Sequence, residues 1–159
     1  MRRGSTGPMS SHRLSAANVG ASFARLAAIL GGLVVAALAC AHRRVVVRGG
    51  SMRPTLEHGD RLLVRRGVRA VTGDLVVVRL PGRGEAVKRV VGVAGDTVEL
   101  TGRATRLGAG EVAVAGDASA ASTDSRQLGP LPRGAIRGVA RSIYHPRERA
   151  GRLTPTRRR

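Results

Sequence analysis

The sequence predicts a mainly β protein: one N-terminal transmembrane helix followed by a small antiparallel β domain. Three observations predict it. From Val45 onward, short Val-rich runs alternate with Gly-Asp and Pro-Gly pairs, the pattern of strands separated by tight turns. No stretch after residue 45 carries a helical period of apolar residues. Ahead of this region, Leu26 to Ala41 is a run of 16 residues without a charge.

The strands are expected at 45–48, 61–65, 74–80, 86–93, 97–100, 111–115 and 135–143. Gly59-Asp60, Gly73-Asp74, Pro81-Gly82 and Gly95-Asp96 supply the turns. An aspartate after glycine hydrogen-bonds local backbone, so Asp60, Asp74 and Asp96 read as turn residues rather than catalytic carboxylates. Strands at this spacing imply antiparallel pairing, and residues 43–146 suffice for one small core.

The uncharged run is somewhat shorter than the roughly 20 residues that span a bilayer. Snorkelling of Arg25 brings 21–24 into the apolar length. A buried soluble helix would show a polar face, and this run has none, so a single membrane anchor over 26–41 is the expectation. Ala37-Leu38-Ala39-Cys40 loosely resembles a lipoprotein processing site. The alanine three residues before the cysteine and the long basic region upstream argue against lipidation. Residues 1–25 read as a basic flexible segment and 147–159 as a basic disordered tail.

Charge bounds the partners. The chain of 159 residues has a formal net charge of +18, which favours anionic surfaces such as acidic lipid headgroups. Nucleic acid is disfavoured, because Phe23 and Tyr144 are the only aromatic residues and base stacking needs more. The positive-inside rule leans weakly toward a cytoplasmic C-terminal side, from Arg43, Arg44 and Arg48. One cysteine excludes an internal disulfide, and the four scattered histidines show no metal-ligand spacing. No cofactor or metal is expected. The oligomeric state is not encoded in any pattern found.

Two residues stand out chemically. Of 28 basic residues, Lys88 is the single lysine; every other one is arginine. Arginine stays charged, whereas a buried lysine can lose its proton. Ser51 follows Gly49-Gly50 and precedes Arg53-Pro54, a constrained loop that would expose the serine and its backbone N–H. A serine beside a neutral lysine is an arrangement for nucleophilic catalysis. The bland alternatives are a plain Gly-Gly-Ser turn and an exposed lysine paired with Glu85.

The segments around these residues resemble type I signal peptidases. Gly49 to Leu56 is similar to their Ser-Met-x-Pro-Thr-Leu box. Lys88 to Asp96 is similar to the Lys-Arg-x-x-Gly-x-x-Gly-Asp box. Gly116 to Arg126 is similar to the Gly-Asp-Asn-x-x-x-Ser-x-Asp-Ser-Arg box. The resemblance covers about residues 26–143 and suggests a small member of bacterial, actinobacterial type. It implies Ser51 as nucleophile, Lys88 as general base, Ser122 orienting the Lys88 amine, and an Asp124–Arg126 ion pair supporting that loop. Met52 would pack beside the site. Gly49 stands where some members carry a serine that assists the oxyanion hole, which leaves backbone N–H groups to do so. Ala118 replaces the usual Asn and Ala94 a common Pro.

The resemblance further implies a single-pass, membrane-bound endopeptidase, its catalytic domain extracytoplasmic. It would cleave signal peptides of exported preproteins after small residues. The nine residues between Ala41 and Ser51 keep the nucleophile within about 33 Å of the bilayer. Two other functions are kept open. One is a dedicated maturation peptidase of the same family, acting on one precursor such as a nickel-type superoxide dismutase. The other is a non-enzymatic basic module at a membrane surface or on nucleic acid. Self-cleaving repressors share Ser-Lys chemistry but need an N-terminal DNA-binding domain, where this chain has an apolar run.

Overall fold

The computed structural model describes residues 25–33, 41–118 and 122–156. The chain divides into two units, Met1–Ala39 and Cys40–Arg159.

In the first unit, residues 25–33 form helix α1. Its apolar side chains Leu26, Ile29, Leu30 and Leu33 are all more than half exposed. Among the described residues, no helix is long and apolar enough to cross a membrane. The expected anchor over 26–41 lies partly outside the described residues, as does Cys40.

The second unit is built from strands β1 (His42–Val46), β2 (Arg61–Arg65), β3 (Leu75–Leu80), β4 (Gly84–Val93), β5 (Thr97–Leu100), β6 (Arg103–Arg106), β7 (Glu111–Ala115), β8 (Leu131–Pro132), β9 (Ile136–His145) and β10 (Gly151–Arg152). One helical turn, α2 (Ser125–Leu128), precedes β8. The main sheet runs β1-β2-β9-β3-β4-β7-β8, with β10 added on β9, and β5-β6 pair separately. Every pairing is antiparallel, as the turn spacing predicts.

Strand β3 shows how the core is divided. Side chains alternate faces along a strand, and here both faces are covered. Leu75 and Val77 join a cluster with Met52, Leu56, Leu62 and Val64. Val76, Val78 and Leu80 join a second cluster with Val90, Val112 and Val114. A continuous apolar run such as Leu75–Val78 fits a strand buried on both sides. The aliphatic core follows from a chain nearly free of aromatic residues.

The Gly-Asp pairs are turns. Asp60 accepts the Glu57 N–H, Asp74 the Val71 N–H and Asp96 the Val93 N–H. The ordered domain extends past residue 146, the boundary expected from sequence. Arg147–Arg149 form a 3-10 turn, β10 pairs with β9 and Leu153 packs on the core. The expectation of a disordered tail is therefore corrected over 147–153. The apolar contact of Leu153 and the strand pairing outweigh the local charge.

Candidate active site

Ser51 is carried by the loop between β1 and β2. Gly49 takes a φ of +84°, a left-handed conformation that favours glycine. Its N–H donates to His58 Nδ1 at 3.2 Å, so that amide is already engaged. The Arg53 N–H closes a turn on the Gly50 carbonyl, and the Leu56 N–H one on the Met52 carbonyl. Met52 is 2% exposed and anchors the loop in the core. The Ser51 carbonyl accepts the Ala118 N–H at 3.0 Å, tying the loop to the segment after β7.

Lys88 lies on β4, opposite Val76 of β3, and is 3% exposed. Its Nζ is 3.1 Å from Ser51 Oγ and 2.8 Å from Ser122 Oγ. Burial lowers the Lys88 pKa, the Asp124 carboxylate partly opposes this, and the Arg126 cation adds to the lowering. The result favours the neutral amine.

The Asp124 carboxylate is acceptor-only, and Ser122 Oγ donates to Asp124 Oδ2 at 2.5 Å. Ser122 Oγ therefore offers lone pairs to Lys88, which donates an N–H to it. A neutral amine then has its own lone pair free for the Ser51 hydroxyl. The chain Asp124–Ser122–Lys88 thus fixes which way the amine faces.

Asp124 is fully buried. Burial pushes its pKa up, but hydrogen bonds from Arg126, Ser122 and the Gly116 and Arg126 backbone amides outweigh it, and the value falls to about 2. It caps α2, and the fork of Arg126 meets both its oxygens at 2.9 and 2.6 Å. Gly116 is required by space: a Cβ there would collide with Ser122 Oγ and lie 2.6 Å from Ser122 Cβ and 2.7 Å from the Ser51 carbonyl.

The structure therefore brings Ser51, Lys88, Ser122, Asp124 and Arg126 into one connected group, with Met52 beneath and Gly49 at its edge. Sequence reasoning missed a second group. Arg89 is buried next to Lys88 and grips Asp117 with two bonds of 2.9 and 2.7 Å. It also donates to Thr55 Oγ1 at 3.2 Å and the Gly73 carbonyl at 3.0 Å. Thr55 donates in turn to Asp117. Each of the three boxes supplies one member, and the adjacency of Arg89 to Lys88 was the available signal. Among the described residues, no cluster suits a metal ion.

An open cleft of about 390 Å³ runs beside Ser51, lined by Val45, Val47, Met52, Val77, Ala86 and Val87 together with the charged Arg43, Arg44, Arg48 and Glu85. Its walls come from β1 and the first half of β4; among the described residues β1 pairs only with β2, and that half of β4 only with β3.

A serine hydroxyl next to a buried amine, on a β scaffold with an open cleft beside it, has the chemistry of a hydrolase that works through a nucleophile. The chain belongs to the signal peptidase family, peptidase S26, whose match covers residues 20–108 and 100–145. It is similar to mitochondrial inner membrane protease subunit 1 of Schizosaccharomyces pombe, 36% identical over 112 residues, covering 62% of this chain and 71% of that protein. It is similar to mitochondrial ATP-independent inner membrane protease subunit 1b of Arabidopsis thaliana, 34% identical over 123 residues, covering 68% and 73%. A shorter likeness, 42% over 60 residues, is to signal peptidase I of Bacillus licheniformis, covering 35% of this chain and 32% of that protein.

Proposed function

We propose that this chain is a membrane-bound serine endopeptidase of signal-peptidase type that cleaves signal peptides from exported preproteins, with Ser51 as nucleophile and Lys88 as general base. The observation that carries the reading is the 3.1 Å approach of a buried lysine amine to a serine hydroxyl, with Ser122 holding the amine from the other side.

Lys88 takes the Ser51 proton as Oγ attacks the scissile carbonyl carbon. The carbonyl oxygen becomes an oxyanion, and the Ser51 N–H is the donor best placed to stabilise it. Among the described residues that N–H has no protein acceptor. Gly49 offers no hydroxyl, and its own N–H is held by His58. The protonated Lys88 then gives its proton to the departing amine, which leaves an acyl ester on Ser51. Lys88 next removes a proton from water, the hydroxide attacks the ester carbonyl, and Ser51 regains its proton as the new carboxylate departs.

The substrate is an extended segment that lies in the cleft between β1 and β4 and pairs with their free backbone groups. Cleavage after a small residue is what the likeness to signal peptidases implies. Anchoring rests on the exposed apolar face of α1 and on the membrane named in the relatives' descriptions. The catalytic domain then works on the extracytoplasmic side, close to anionic lipid. A non-enzymatic basic module would leave a lysine buried between two serine hydroxyls without a purpose.

The test is cleavage of a labelled preprotein in detergent or liposomes, followed by sequencing of the new N-terminus. The reading expects one cut after a small residue, absent with Ser51→Ala. An uncut preprotein with folded wild-type protein contradicts it.

A further inference from the structure

The loop that carries Ser51 is closed at its neck by two backbone bonds, from the Val47 N–H to the Asp60 carbonyl at 2.8 Å and from the Gly59 N–H to the Val47 carbonyl at 3.0 Å. Inside the neck sits the Asp60 carboxylate, only 2% exposed. A buried carboxylate needs a counter-charge. It comes from far along the chain. Arg149 Nε lies 3.0 Å from Asp60 Oδ1, and Nη2 lies 3.1 Å from Oδ2. The same guanidinium donates to the Thr55 carbonyl at 3.2 Å and to Glu57 at 3.3 Å. One side chain therefore grips three points of the 55–60 segment.

Arg149 does not stand alone. After it, β10 pairs with β9, and the Thr156 N–H donates to the Gly73 carbonyl at 3.3 Å. A Cβ on Gly73 would lie 2.9 Å from the Thr156 backbone, so the strap passes directly over that glycine. The Gly73 carbonyl is also the acceptor for Arg89, which binds Thr55 Oγ1. The strap is thus joined to the nucleophile loop twice, directly through Arg149 and indirectly through Gly73, Arg89 and Thr55.

Lys88 is fixed by a central strand and Ser122 by Asp124. Ser51 is held on one side by buried Met52 and by the Ala118 N–H on its carbonyl; the other side of its loop, residues 55–60, is held by Arg149. We propose that residues 147–156 form a positioning strap for the nucleophile loop, with Arg149 as the positioning residue that sets where Ser51 stands relative to Lys88. This rests on the reading of Ser51 as nucleophile. A misplacement of about 1 Å between reacting groups costs on the order of 100-fold in rate. Arg149 touches neither Lys88 nor the cleft walls, so its loss acts on the chemical step rather than on substrate binding or on the lysine's protonation.

The test uses the full chain and a labelled preprotein, with kcat, KM and the pH profile measured on Arg149→Ala, Arg149→Lys and the double variant Asp60→Asn/Arg149→Gln. Folding is followed by circular dichroism. In folded Arg149→Ala, kcat falls about 10- to 100-fold, KM stays within about 2-fold, and the pH limb assigned to Lys88 does not move. Arg149→Lys restores only part, because an ammonium lacks the planar fork. Added guanidinium ion partly rescues Arg149→Ala, since the native side chain is 31% exposed and the site can be reached. Wild-type kcat in folded Arg149→Ala overturns the inference, as does a loss that merely follows the unfolded fraction and resists guanidinium. If Arg149→Ala does not fold because Asp60 is left as a lone buried charge, the double variant decides: a folded protein with lowered kcat supports the strap and one with wild-type kcat refutes it. Failure of the wild type to cleave, matching Ser51→Ala, would instead bring down the catalytic reading and the strap with it. Cleavage by wild type and by all strap variants alike removes the strap alone.

Discussion

Lys88 Nζ lies 3.1 Å from Ser51 Oγ, although the two residues are 37 positions apart and sit on different elements. The amine is buried, and burial lowers its pKa from the ordinary lysine value. The two facts together favour a neutral amine within reach of the hydroxyl, which is what a general base requires.

A pH dependence follows with a definite sign. In the proposed mechanism the active form is the neutral amine, so cleavage rises with pH as Lys88 loses its proton and falls as it regains it. The midpoint of the rising limb lies below the unperturbed lysine value of about 10.4. A kcat/KM profile on folded enzyme checks this. A limb at the ordinary lysine value contradicts a desolvated base.

Ser122→Ala removes the hydroxyl that orients the Lys88 amine and the donor that faces Asp124. A hydrogen bond to a charged group is worth about 1.5–3 kcal/mol, so kcat is expected to fall about 10- to 100-fold, with KM little changed. Steady-state kinetics on one preprotein series measures it. Unchanged kcat shows that Ser122 does not orient the base.

Asp124 links the site to acid stability. Its folded pKa of about 2 lies below the ordinary 3.8. The stabilisation is therefore fully present above the ordinary value and is lost as pH falls through about 2. The shift corresponds to on the order of 2 kcal/mol. Urea unfolding from neutral pH down to pH 2 should show this loss in wild type and a smaller pH dependence in Asp124→Asn. Equal slopes in the two proteins contradict the assignment.

Gly116→Ala forces a methyl group against Ser122 and the Ser51 carbonyl. Overpacking of this kind costs about 1–3 kcal/mol, and both neighbours belong to the site. Activity is expected to fall by more than the stability loss explains, measured as kcat at a temperature where the variant is fully folded. A folded variant with wild-type kcat shows that the loop yields without moving either serine.

Much of this was legible in the sequence, and the remainder has physical reasons for being hidden. Leu75–Leu80 and Glu111–Ala115 carry enough Val and Leu to announce strands. Arg103–Arg106 does not: its side chains are mostly polar and exposed, and it is a strand only because β5 offers a partner. β8 and β10 are two residues each, too short for any period. Lys88 was visible because the rest of the chain avoids lysine. Ser122, by contrast, was visible only through resemblance, since nothing local distinguishes it from Ser119 or Ser125. The Arg89–Asp117 and Arg149–Asp60 pairs span 28 and 89 positions. Which of many arginines meets which aspartate is decided by the fold, in a chain where cations greatly outnumber anions. The end of the domain was misplaced for the same reason: Arg147–Arg152 looks like a solvated charge run, yet one of its arginines neutralises a buried carboxylate.

The most direct test of the central claim compares wild type, Ser51→Ala and Lys88→Arg, each shown to be folded, in cleavage of one labelled preprotein. Arginine keeps the charge and much of the length of Lys88 but stays protonated and so cannot act as a base. The account predicts a single new N-terminus with wild type and rates lowered about 10⁴-fold or more in both variants. Cleavage by Lys88→Arg at the wild-type rate would contradict it.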